Sequence, residues 1–135
     1  MIRVLVVIVA IVLVACGQAG TQPADIPGSG ATRGEALFEL NSLGNRAGCA
    51  SCHSLEPGVR MVGPSLADIA IVAETQDTGL SAEAYLERSL LQPDVDLPPG
   101  YAAGAMPAYG DVLNDQDVDD LVAYMMTLDG AGEGR

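Results

Sequence analysis

Apolar and polar positions divide this chain into four stretches of different character. Residues 1–16 open with one charge, Arg3, followed by an unbroken apolar run of twelve from Val4 to Ala15. That run is shorter than the roughly 20 residues a membrane-spanning helix needs, and with its short basic head it reads as an export signal. Gly17 to Ala31 has no periodicity, is rich in Gly, Pro, Ser and Ala, and carries a single charge, Asp25. This composition predicts a flexible tether with a root-mean-square span of roughly 20 Å. Helical spacing begins after it. Thr32-Arg33-Gly34-Glu35 has the form of a capping box ahead of Leu37, Phe38 and Leu40, and Gly44 and Gly48 close that helix.

The pattern then predicts three more helices. Ser65 to Ala73 is a short helical stretch after the Gly63-Pro64 turn. Ser81 caps a helix that runs to about Gln92, with Leu86 and Leu90 on one face, and Pro93 stops it. Asp94 to Gly110 is broken by Pro and Gly and cannot be a regular element; a loop of that length implies a function. Asn114 caps the last helix. Val118, Leu121, Val122, Met125 and Leu128 form its apolar face, and Asp115, Asp117, Asp119 and Asp120 lie near the positive end of its dipole. The divisions are therefore 1–15 signal, 16–31 tether, 32–130 one small all-α domain and 131–135 tail.

Composition sharpens the picture. The chain has no Trp, one Phe and four Tyr, which is little aromatic mass for a core. It has no Lys; six Arg face eighteen Asp and Glu, for a net charge of −12, which becomes −13 if Arg3 leaves with the signal. Such an acidic chain would be repelled by nucleic-acid phosphates. It suits solubility and, equally, docking on a basic partner surface.

The chemistry is concentrated in Cys49-Ala50-Ser51-Cys52-His53. C-x-x-C-H is the spacing of a c-type haem attachment site. Two thiols three positions apart can form thioethers with the two vinyl groups on one edge of a haem, and His53 then lies under the ring, where its imidazole can ligate the iron. One covalent haem c would also supply the apolar bulk the core lacks. Three blander readings compete. A thioredoxin-type pair wants alternating strands and helices, which are missing here. A zinc site needs four ligands, and outside the leader only two Cys and one His remain. A plain Cys49–Cys52 disulfide is the third.

The iron has a sixth position, and no second His exists in the chain to fill it. A Met thioether is the natural ligand. Met125 and Met126 have helical spacing and read as core. Met61 is too close in sequence to His53 to reach the far side of the ring. Met106, in the Pro- and Gly-rich loop, is far enough along the chain to wrap the haem and is the favoured ligand.

From Thr32 to about Asp129 the chain resembles the small class I c-type cytochromes. The resemblance rests on Gly34 and Phe38 in the first helix, Tyr124 in the last, the haem motif, Gly63-Pro64-Ser65-Leu66 after it, and Met106-Pro107-Ala108-Tyr109. It implies a four-helix fold wrapped around the haem, with the Pro64 carbonyl accepting the proton of the ring's other nitrogen in His53. It also offers Tyr101 and Arg60 as hydrogen-bond donors to the haem propionates, although ordinary surface or core roles suit them equally. Two departures stand out: the absence of the Lys ring many relatives use for docking, and Ile71 to Leu80, which reads as a surface insertion. Separately, Leu13-Val14-Ala15-Cys16 resembles the lipobox of bacterial lipoproteins, which implies cleavage before Cys16 and acylation of its thiol. An uncleaved marginal anchor is the alternative.

The expected function is one-electron transfer by a mono-haem protein, lipid-anchored on the outer face of the cytoplasmic membrane. It would act as a mobile carrier between a quinol-oxidising complex and a terminal oxidase or photosynthetic reaction centre, or as a subunit of a quinol-oxidising assembly such as alternative complex III. It would not itself be an enzyme. A haem-based redox or gas sensor needs a labile sixth ligand, and a peroxidase needs a distal acid–base residue.

Overall fold

The computed structural model describes residues 28–131. Four helices carry the fold: α1 (Gly30–Phe38), α2 (Ile69–Thr75), α3 (Ala82–Leu91) and α4 (Asp115–Met125). A two-stranded hairpin, β1 (Ser42–Leu43) and β2 (Arg46–Ala47), and a 3-10 turn at Cys49–Ser51 separate α1 from α2. Among the described residues no helix is long and apolar enough to cross a membrane. The leader, Cys16 and most of the tether lie outside the described residues.

The crossing of α1 and α4 is the centre of the core. It is built on Gly34, because a Cβ there would fall 1.9 Å from the Asp120 carbonyl oxygen and 2.7 Å from the Tyr124 Cβ. With no side chain at 34 the two backbones come close enough to bury Leu37 and Leu121 and to bring Phe38 against Tyr124, ring centroids 5.5 Å apart and tilted by 55°. Tilted aromatic pairs of this separation add to the burial term. Arg33 closes the same crossing: its Nε and Nη2 donate to the two oxygens of buried Asp120, each at 2.6 Å, and Gln116 adds a bond of 2.9 Å. Asp120 therefore does more than complement the helix dipole; it is the interhelical ion pair.

The Asn114 cap forms as its sequence requires. The Asn114 side chain accepts from the Asp117 N–H at 3.0 Å and the Asp117 carboxylate accepts from the Asn114 N–H at 3.1 Å, which satisfies a carboxylate that is otherwise buried. The Ser81 cap of α3 also forms.

Four expectations need correction. Ser29, not Thr32, caps α1, so the helix starts two residues ahead of the apparent capping box. Leu40 to Gly48 is not the end of that helix but a hairpin, turned at Gly44 with φ of +58°. Ser65 to Ala73 is helical only from Ile69: the Ser65 hydroxyl donates to the Glu56 carbonyl and accepts from the Ala67 N–H, holding an open turn. The stretch from Ile71 to Leu80 is not wholly an insertion, since its first half is α2 and buries Ala73; the rest is an exposed loop.

Candidate functional site

The haem motif sits on the turn that follows the hairpin. Gly48 allows it: a Cβ there would meet the Leu40 carbonyl oxygen at 1.7 Å, and the Gly48 N–H bonds Asn41 at 2.9 Å. The chain then winds one tight turn, with the N–H groups of Cys52 and His53 both donating to the Cys49 carbonyl at 3.0 Å. Both thiols and the imidazole emerge on one side of that turn and line a single cleft. The segment after the motif folds back on it, through Gly63 N–H to Cys52 carbonyl at 2.8 Å and Leu66 N–H to Ser54 carbonyl at 2.8 Å.

This return fixes His53. Its Nδ1 donates to the Pro64 carbonyl at 2.9 Å. A carbonyl only accepts, so Nδ1 carries the proton and the Nε2 lone pair is free for a metal. Burial lowers the ring's pKa and the Pro64 bond works against that shift, so the imidazole is neutral at pH 7. Gly63 packs against the ring; a Cβ would be 2.3 Å from Cε1 and under 3 Å from both nitrogens.

The rest of the lining comes from the loop between α3 and α4, through Leu97, Tyr101, Ala105, Met106 and Tyr109. Tyr109 anchors its end: the N–H bonds the Leu90 carbonyl at 3.0 Å and the hydroxyl donates to the Ala47 carbonyl at 2.7 Å, tying the loop to the hairpin. Burial pushes the Tyr109 phenol up to about 12, so it remains a donor. Of the described methionines, Met106 alone lines the cleft. Met61 is exposed, and Met125 and Met126 pack in or against the core. The fold thus brings together Cys49, Cys52, His53, Pro64, Tyr101 and Met106. Arg60 stands at the edge, its guanidinium 4.2 Å from the centre of the Tyr101 ring.

Burial also pushes the Cys49 thiol up to about 11. A redox-active C-x-x-C needs the reverse, a thiol acidic enough to attack as thiolate. The cleft opens to solvent and its lining is overwhelmingly apolar. An apolar cleft lined by two thiols, a tautomer-fixed imidazole and a thioether fits a covalently held haem.

The family model for cytochrome c matches residues 31–129. The chain belongs to the cytochrome c family. Membership carries a covalent haem c and electron transfer, typically as a carrier with redox protein partners rather than as an enzyme. No solved structure gives a significant match to this cytochrome c.

The sequence did not single out the rim of the cleft. Val62 and Leu97 flank its mouth, and exposed Val59, Met61 and Val95 lie in the same two loops. Residues 97–110 carry no charged side chain in a molecule of net charge −12. That gap in the charge pattern was the available signal.

Proposed function

We propose that this cytochrome c is a mono-haem one-electron carrier whose haem is bonded to Cys49 and Cys52 and ligated by His53 and Met106. The observation that carries the reading is that Met106 shares the cleft with His53 while the other described methionines do not. What bound haem supplies is the one-electron ferric/ferrous couple. The protein's share would be the two iron ligands, His53 and Met106. Pro64 keeps the His53 ring oriented and basic, a partner that metal-bound histidines characteristically need. A His/Met pair raises the reduction potential. With His53 and Met106 both bonded to the iron no site would remain for a substrate, and electrons would pass at the apolar rim made by Val62 and Leu97.

The domain is tethered to the outer face of the cytoplasmic membrane through acylated Cys16. The lipobox-like Leu13-Val14-Ala15-Cys16 supports this, and the Gly- and Pro-rich stretch behind it gives the domain reach. The partners are a quinol-oxidising complex and a terminal oxidase or reaction centre, with the protein either mobile between them or held as a subunit of the quinol-oxidising assembly.

Two experiments test this. Carbon monoxide added to the reduced protein should leave the spectrum unchanged; a shift means an open or labile sixth position and favours a sensor. Salt-washed membranes decide the second point. Stoichiometric retention in a purified complex sinks the mobile carrier, and release of a lipid-bearing monomer on detergent extraction supports it.

A further inference from the structure

Among the described residues three arginines meet carboxylates: Arg33 with Asp120, Arg46 with Asp111 and Arg88 with Asp96. Arg60 meets none. Its Nη2 donates to the Gly100 carbonyl at 2.7 Å and its guanidinium lies over the Tyr101 ring. Arg60 belongs to the loop that folds back over His53, whereas Gly100 and Tyr101 belong to the loop that carries Met106. One exposed side chain thus joins two loops that line the cleft across 40 residues of sequence.

The Met106 loop has few other polar ties to hold it there. The other hydrogen bonds made by residues 97–107 stay within the α3–α4 loop, residues 92–114: Tyr101 N–H to Pro98, Ala105 N–H to Ala102 and Gly104 N–H to the Asp94 carboxylate. Apart from Met106, which packs against the core, its outside ties among the described residues come at the ends, Asp96 to Arg88 before it and Tyr109 to Leu90 and Ala47 after it. Between these ends Arg60 makes the single hydrogen bond, among the described residues, that leaves the loop. Gly100 has φ of +86°, a conformation other residues resist, so the carbonyl is presented to Arg60 by a turn built for glycine.

We infer that Arg60 is a positioning residue, a strap that holds the Met106 loop shut over the cleft by lying on the Tyr101 ring and bonding the Gly100 carbonyl. This rests on the reading of Met106 as the sixth ligand. The strap sets how often the loop opens and exposes the iron. It works through the face of Tyr101 and not through its hydroxyl. That distinguishes it from a donor to the haem propionates, the role the sequence offered for both residues. A planar guanidinium stacks and donates at once, whereas an ammonium cannot do both in the same geometry.

The test is imidazole binding to the ferric full-length holoprotein. At saturating imidazole the rate reaches a plateau set by loop opening and Met106 departure. Arg60→Gln and Tyr101→Ala should raise that plateau about tenfold, the worth of one exposed cation–π contact with its hydrogen bond. Tyr101→Phe should stay at the wild-type rate and Arg60→Lys should fall between. Arg60 is exposed and Tyr101 is part-buried in the cleft lining, outside the helical core, and far-ultraviolet circular dichroism checks that helix content is retained. An Arg60→Gln plateau equal to wild type overturns the strap, as does a Tyr101→Phe rate matching Tyr101→Ala. A far-red sulfur-to-iron band in the wild-type ferric spectrum separates these outcomes from a failure of the ligand assignment. If that band is missing, the Met106 reading fails first and the strap falls with it.

Discussion

Replacing Gly34 by alanine tests the packing on which the fold depends. The new Cβ would sit 1.9 Å from the Asp120 carbonyl oxygen and 2.5 Å from its carbon. Ordinary contact is about 3.4 Å, so α1 and α4 must part by about 1.5 Å. Both obstructing atoms are backbone, and no rotamer change relieves them. Overpacking against backbone that cannot turn aside costs about 3 kcal/mol, the top of the usual range. Alanine returns about 1 kcal/mol through helix propensity, leaving a net loss of about 2 kcal/mol. For a domain of about 100 residues that lowers Tm by about 8–16 °C. The separation would also pull Phe38 from Tyr124 and lengthen the Arg33–Asp120 bonds. Thermal unfolding of the two holoproteins, followed by circular dichroism, reads the difference. A Gly34→Ala protein as stable as wild type, or more so, would refute the close crossing.

The other predictions concern the ion pair, the proximal loop and the acidic surface. Arg33 holds the Asp120 carboxyl below its ordinary value, so the pair's stabilisation is present at neutral pH and fades as pH falls through the folded-state pKa, below about 4. Asp120→Asn should therefore lower Tm at pH 7, and the gap from wild type should narrow at pH 3; a gap that is the same at both pH values contradicts this. Gly63→Ala would drive a Cβ into the His53 ring, so holoprotein yield should drop and the surviving ferric protein should show a high-spin fraction; an unchanged low-spin spectrum at full yield speaks against the contact. With a net charge of −12, oxidation of the ferrous protein by a cationic cobalt(III) complex should slow as salt rises and oxidation by ferricyanide should speed up. Rates independent of salt for both would mean the field does not reach the electron-transfer edge.

Caps and periodicity made most of the helices legible. Asn114 and Ser81 declare their helices because each is a polar residue set just ahead of an apolar repeat, and the structure places each cap at its own position. Thr32 misled because Ser29 offers the same chemistry three residues earlier, and a cap is chosen by the packing of the whole helix on α4 rather than by local pattern. The hairpin was missed although Leu43-Gly44-Asn45-Arg46 holds a two-residue Gly-Asn turn, since strands of two residues have no periodicity to read. At the site, Cys49, Cys52 and His53 were plain from their spacing. The fold brings Met106 into the same cleft from 53 residues away. Neither the Arg33–Asp120 pair nor Arg60 on Tyr101 was accessible, because both join segments tens of residues apart and their residue types are as common on ordinary surfaces.

The ferric absorption spectrum of the holoprotein, beside that of Met106→Ala, tests the central claim most directly. His53/Met106 ligation predicts a weak sulfur-to-iron band in the far red that vanishes in the variant while the haem remains covalently attached. A wild-type spectrum without the band, or a band that survives the substitution, would contradict Met106 as the ligand and with it the closed, six-coordinate electron carrier.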